Sequence, residues 1–117
     1  MNFITPKSID SLISEAENEN LYLKLLEQIN KDFNLANEGI DFPISTSPQK
    51  LKEQLQEKVY RLIQFKFAEY LNLLYIIDVP EDQIKKLDGS DIQELSAQVA
   101  FLILKREWMK VWFRNNY

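Results

Sequence analysis

Two glycines in 117 residues constrain this chain more than any motif in it. Average usage of roughly 7% would supply about eight. A β-sandwich or barrel of this length turns every few residues. Tight turns consume Gly, Asn and Pro, because they demand backbone conformations that other residues resist. Four prolines add little. Phosphate loops built on closely spaced glycines are excluded by count. The expected fold is therefore all-α: one helical domain over 1–117, a compact bundle of four to five helices.

The apolar spacing supports this. Thr5-Pro6 has the form of a helix start, and Ile9, Leu12, Ile13 and Ala16 follow on one helical face. Residues 15–20 are polar all round, either a link between two helices or an exposed turn within one. Leu21, Leu25, Leu26, Ile29 and Phe33 form the next stripe. Helices are expected at about 6–17 and 19–35. Residues 37–47, holding Gly39 and Pro43, read as a loop pinned by buried Ile and Phe side chains. From Ser47-Pro48, Leu51, Leu55, Val59, Leu62, Lys66, Tyr70, Leu73 and Ile77 recur every three to four residues and predict one helix over about 48–77. Residues 70–77, apolar nearly all round, should be its most buried end. Pro80 opens a short piece that Asp88-Gly89 stops. Ser90, with Gln93 three residues on, predicts a capping-box start for a last helix over about 90–115. Helices 48–77 and 90–115 are expected to form the central antiparallel pair.

The stretch 71–106 carries Leu73-Leu74-Tyr75, then Ile77-Asp78-Val79 and acidic Glu81, then an apolar helix ending in charge. In this it resembles small uncharacterised all-helical proteins of the Bacteroidetes, whose pattern has a basic residue where this chain has Ile76. The resemblance implies a small cytoplasmic helical protein and carries no activity or site residues.

Cysteine and histidine are absent. Most nucleophilic triads, zinc sites and histidine acid–base chemistry are lost with them, and no cofactor or metal is expected. Asp88-Gly89-Ser90-Asp91 has the wrong spacing for a calcium loop. Glu53 and Glu57, like Asp78 and Asp82, sit one turn apart. The former lie among Lys50, Lys52, Lys58 and Arg61 and read as solvated ion pairs rather than a catalytic couple. The longest apolar run, 99–104, is far short of the roughly 20 residues of a membrane span. Residues 1–14 hold one Lys and no apolar core, so no signal peptide is expected. A cytoplasmic location is the expectation, with which the absence of Cys is compatible.

Charge is unevenly spread. Residues 1–47 hold three cations and eight acids, 48–77 five and three, 78–100 two and six, and 101–117 four and one. The net −4 is thus four blocks of alternating sign. Complementary helix faces within one fold explain this. An acidic face at Glu15, Glu17 and Glu19, open to a basic partner, is the alternative. In the last block Arg106, Lys110 and Arg114 recur every four residues, and Trp108, Met109, Trp112 and Phe113 form an aromatic group beside them. Three readings stay open for it: closure of the core under snorkelling cations, a protein interface, or an anionic-surface site.

The functional expectation is a non-enzymatic protein acting through protein–protein contact, a homodimer through the Trp108/Trp112 patch being one form. One alternative is an acidic inhibitor or immunity-type protein that covers a basic partner. The other is nucleic-acid or anionic-surface binding through the C-terminal helix, which the overall negative charge disfavours.

Overall fold

A computed structural model describes residues 2–117. They form six helices and no strand: α1 (Ile9–Asn18), α2 (Tyr22–Leu35), α3 (Pro48–Phe65), α4 (Phe67–Ile77), α5 (Glu81–Lys85) and α6 (Ile92–Asn116). The all-helical expectation holds. The count is six rather than four or five, because the helix expected over 48–77 is two.

Asn20, Asn37 and Asp78 take the place of the missing glycines. Each has a left-handed backbone, φ 59°, 58° and 70°, while neither glycine has positive φ. Each closes a helix with the same pair of backbone hydrogen bonds. After α1, Asn20 N–H donates to Glu17 O at 3.0 Å and Leu21 N–H to Ala16 O at 2.8 Å. Asn37 and Glu38 repeat this on Asn34 and Phe33, and Asp78 and Val79 on Tyr75 and Leu74. These bonds satisfy carbonyls that a helix end leaves open, and Asn and Asp are the side-chain-bearing residues that tolerate the conformation best. The break between the first two helices is therefore sharp, and Asp88-Gly89 is not the stop expected for the short helix, which ends at Lys85.

Two helix starts shift from their expected places. α1 begins not at Thr5-Pro6 but at Ser8, whose hydroxyl accepts from Ser11 N–H at 3.1 Å while Ser8 N–H donates to Ser11 Oγ at 3.2 Å. α6 is capped by Asp91 rather than Ser90. The Asp91 carboxylate accepts from the N–H groups of Gln93 and Glu94, whereas Ser90 is drawn back onto Asp88.

The helix break at Lys66 occurs without Pro or Gly. Lys66 adopts φ −142°, ψ 61°, yet its N–H still donates to Leu62 O and its carbonyl still accepts from Tyr70 N–H. The stripe explains the bend. A straight helix would continue Leu62 into Lys66 and Tyr70 on the core side, carrying an ammonium inside at a cost of several kcal/mol. Bending at that residue leaves Lys66 exposed and returns Tyr70, Leu73, Leu74 and Ile77 to the core. It also turns Phe65 and Phe67 outward.

The loop after α2 is pinned by Phe42 but not by a buried isoleucine, and Asn30 of α2 holds the Phe42 backbone from both sides. Its Nδ2 donates to Phe42 O at 3.0 Å and its Oδ1 accepts from Phe42 N–H at 2.9 Å. Phe42 is buried, Ile40 half-buried and Ile44 exposed.

Helix α6 touches α1, α2, α3 and α4, and its contact with α3 is the most extensive in the chain. Residues on several sides of it are buried, from Val99 through Leu104 to Trp112. Trp108 is fully buried. The N-terminal segment returns to the far end of α6, where Phe3 packs on Trp112 and Phe113 at ring-centre distances of 5.3 and 5.5 Å. Trp108→Ala removes a ring with no exposed surface and is expected to cost about 3–5 kcal/mol. Phe113→Ala, at a ring 41% exposed, is expected to cost at most about 2 kcal/mol. Urea unfolding midpoints at unchanged slope check the ranking, and equal losses would place both rings at the same depth.

Candidate functional site

The C-terminal aromatic group is mostly core. Trp108 and Trp112 are buried, Met109 is half-buried, and only Phe113 stands well into solvent, stacked on Tyr117. The expected Trp108/Trp112 patch is therefore corrected: four helices cover α6 before any partner could. The basic stripe also divides. Arg106 Nη2 meets Asp78 Oδ2 at 3.1 Å and its Nε donates to Asp78 O at 3.1 Å. Lys110 Nζ meets Asp32 Oδ2 at 2.7 Å and Glu107 Oε1 at 3.4 Å. Of the three stripe cations, Arg114 alone forms no ion pair with the described residues.

Beneath Lys110 lies a group that sequence spacing did not reveal. Glu107 is fully buried on α6 and faces Asp32 of α2, itself buried. Gln28 Nε2 donates to Asp32 Oδ2 at 3.1 Å. Burial, then the hydrogen bond with Asp32 and its negative charge, push the Glu107 carboxyl up to about 9, although Lys110 opposes this. Burial also works to raise Asp32. Hydrogen bonds from Glu107, Lys110 and Gln28, with the Lys110 charge, outweigh it and hold Asp32 below its ordinary range. At neutral pH, then, Glu107 is a neutral acid beside an ionised Asp32, and Lys110 balances the one charge left. Two like carboxylates in contact cannot both ionise cheaply. The only sequence signal was an acid at a position where α6 is apolar on both sides. Its carboxyl is sealed from solvent, and the group spans α2 and α6.

The expected acidic face is split. Glu15 and Glu19 lie one turn apart, and the Glu15 carboxyl is raised by partial burial and then by the Glu19 charge. Glu17 points elsewhere, near Tyr22, whose hydroxyl is pushed up to about 12 by burial and then by Glu17. Glu53 and Glu57 are solvated, held by Gln49 and Arg61. Among the described residues no cluster of His, Cys, Asp and Glu could hold a metal ion, and no helix is long and apolar enough to cross a membrane.

The most unusual surface is on α4. Residues 70–77 were expected to be the most buried end of their helix. Tyr70, Leu73, Leu74 and Ile77 are indeed buried, but Phe67, Leu71 and Tyr75 are 56%, 50% and 81% exposed. They are spaced four apart and so form one outward ridge. Helix α4 packs on α2, α3 and α6, and the five-residue α5 is too short to cover its remaining side. A groove of about 610 Å³ runs between ridge and α5, lined by apolar Leu71, Leu74, Tyr75, Val79 and Ile84 and also by charged Asp78, Glu81 and Lys85. Only Glu69 is charged in the whole of α4. Apolar residues all round a helix signal an unmatched face as well as burial, and that was the sign available in the sequence.

No family model, no curated protein and no solved structure matches this chain.

The buried pair fixes a pH dependence. Unfolded, Glu107 ionises near its ordinary 4.5; folded, it keeps its proton to about 9. Folding takes up a proton in that window, so this contribution is full below the lower limit and is lost as pH rises toward the upper one. Asp32 acts oppositely, adding stability above its ordinary 3.8 and losing it as pH falls. Glu107→Gln keeps a donor for Asp32 and needs no proton. It is expected to flatten the decline and to be at least as stable as the parent near about pH 8. Thermal unfolding across pH checks this; a parallel decline in both chains would show that Glu107 is ionised in the fold.

Proposed function

We propose that the protein is a non-enzymatic interaction module that binds protein through the outward face of α4, with a second copy of the chain as the partner that this face fits. The observation that carries the reading is the ridge of Phe67, Leu71 and Tyr75 beside that groove. Large apolar groups left wet at helical spacing mark contact surfaces. A second copy is favoured by the ridge's own symmetry. Phe67 and Tyr75 are equally spaced about Leu71, so an antiparallel copy sets Leu71 on Leu71 and brings each Phe67 to the other's groove. Both halves of such a contact are the same, as closed two-fold interfaces require. Glu69 is the one charged residue of α4, and the acids that border the groove, Asp78 and Glu81, are each paired within the chain, with Arg106 and Lys85. The sealed position of Glu107 and the solvated state of Glu53 and Glu57 support the non-enzymatic part. The cytoplasmic setting rests on the Bacteroidetes resemblance and on the lack of Cys.

Sedimentation equilibrium tests the dimer. The parent chain is expected at twice its 13.9 kDa mass, and the triple variant Phe67→Ser, Leu71→Ser, Tyr75→Ser at the single mass with its helicity kept. A parent chain that stays at the single mass at high concentration overturns self-association.

A second reading, an inhibitor that meets a basic partner, keeps one supporting observation. Glu15, Glu17 and Glu19 form no ion pair with the described residues, and the last turn of α1 holds no cation. Acids at a helix C-terminus oppose its dipole. Glu19→Lys is therefore expected to raise stability by about 0.3–1 kcal/mol at low salt, read as a higher thermal midpoint. A lower midpoint would show that Glu19 serves the fold.

A further inference from the structure

Among the described residues, 80–95 is the longest stretch without a buried side chain. It holds α5 and the start of α6. It also forms one wall of the α4 groove: Pro80, Glu81, Ile84 and Lys85 stand opposite Leu71, Leu74 and Tyr75. That wall is weakly tied to the rest of the fold. α5 makes no extensive contact with any other helix. Among the described residues, the hydrogen bonds and ion pairs of 80–90 are all made within the segment. Glu81 meets Lys85, Asp88 accepts from Ser90, and the backbone bonds run back to Pro80 and Ile84. Ile84 and Leu87, both half-buried, are the apolar side chains by which it rests on the core.

The two ends, by contrast, are fixed. Before the segment, Val79 is buried and Arg106 holds Asp78 by both its carbonyl and its carboxylate. After it, Asp91 caps α6. Gly89 sits just inside the second end, where an added Cβ would meet only Leu95 Cδ2, at 3.9 Å. A five-residue helix makes too few backbone bonds to stand without packing. Segments with few buried contacts open locally at a small fraction of the free energy of global unfolding. Residues 80–90 are thus a short span between two anchors, free to swing toward or away from α4.

We propose that residues 80–90 are a hinged strap over the α4 groove, open in the single chain and closed on Phe67 of a second copy once that ring enters. This rests on the two-fold contact read from the α4 ridge, which brings each Phe67 to the other chain's groove. Ile84 then packs on the incoming ring as well as on the core, so the occupied state favours the closed strap. A ligand shifts such an equilibrium by its differential affinity for the two forms. The closure also keeps water from the ring, as mobile lids do in other sites.

Hydrogen exchange of the whole chain, read by mass spectrometry below and above the pairing concentration found by sedimentation, tests this. In the single chain the amides of 83–90 are expected to exchange at least about 100-fold faster than those of 72–77. Pairing should slow the former at least about tenfold. It should also suppress tryptic cleavage after Lys85 and Lys86, which are exposed in the single chain. Phe67→Ser removes the occupant without touching either groove wall, and its strap should stay fast at every concentration. Gly89→Ala restricts the open strap more than the closed one and should slow its exchange about two- to fivefold, with 72–77 unchanged. The two readings fail separately. A single mass at all concentrations overturns the pairing, and with it the closure on a second copy. A strap as slow as 72–77 in the single chain overturns the hinge whatever the mass. A strap that stays fast in a chain of double mass overturns the closure and leaves the pairing standing.

Discussion

Helix α6 has almost no solvent side along its middle, and most of the structure follows from that. Four helices pack on it, so no side chain between Val99 and Trp112 is fully exposed, and an acid placed there needs company. Glu107 finds Asp32, and the pair is tolerable only because one of its two protons stays in place and Lys110 lies over the remaining charge. A leucine at this position could be as stable or more so, since buried charge clusters seldom repay their desolvation.

The scarcity of glycine was informative about fold class and misleading about where helices stop. It ruled out a turn-rich sheet protein correctly. It did not imply few sharp turns, because Asn20, Asn37 and Asp78 adopt the left-handed conformation themselves. Asn is the residue to look for when glycine is missing, and Asn20 and Asn37 each follow an apolar stripe by a few residues. The break at Lys66 was also legible in principle. A cation in the core stripe between Leu62 and Tyr70 contradicts a straight helix. Periodicity alone counts such a residue as one more match, and only its charge says that the backbone has to give way.

The surface was harder to read than the core. Trp108, Trp112 and the residues 70–77 look alike in a sequence, as apolar groups dense enough to need cover. Which of them is covered depends on what lies alongside, and that is set by contacts between distant segments. α6 has α1, α2, α3 and α4 around it, and Phe3 closes its far end. α4 has a five-residue neighbour on its open side. The same apolar signal therefore means core in one helix and an open face in the other. Phe67, Leu71 and Tyr75 contribute little to the interior, so polar substitution there is separable from folding, unlike substitution at Trp108.

Arg106, Lys110 and Arg114 show most directly how position in the fold assigns meaning to a spacing. They are four residues apart and make one basic stripe, as the sequence indicates. Arg106 faces the left-handed end of α4 and donates both to Asp78's carbonyl and to its carboxylate, so it serves a helix terminus. Lys110, one turn on, faces the buried carboxyl pair and is committed to it at 2.7 Å. Arg114, another turn on, has passed the last acid of α2's inner side and faces a groove with Lys24 and Lys31. The stripe runs from two tied cations to an open one. Had all three been free, a long anionic polymer could have lain along α6. With one free, and Lys24 and Lys31 supplied by another helix, the same spacing along α6 ends as one corner of a groove rather than as a continuous basic stripe.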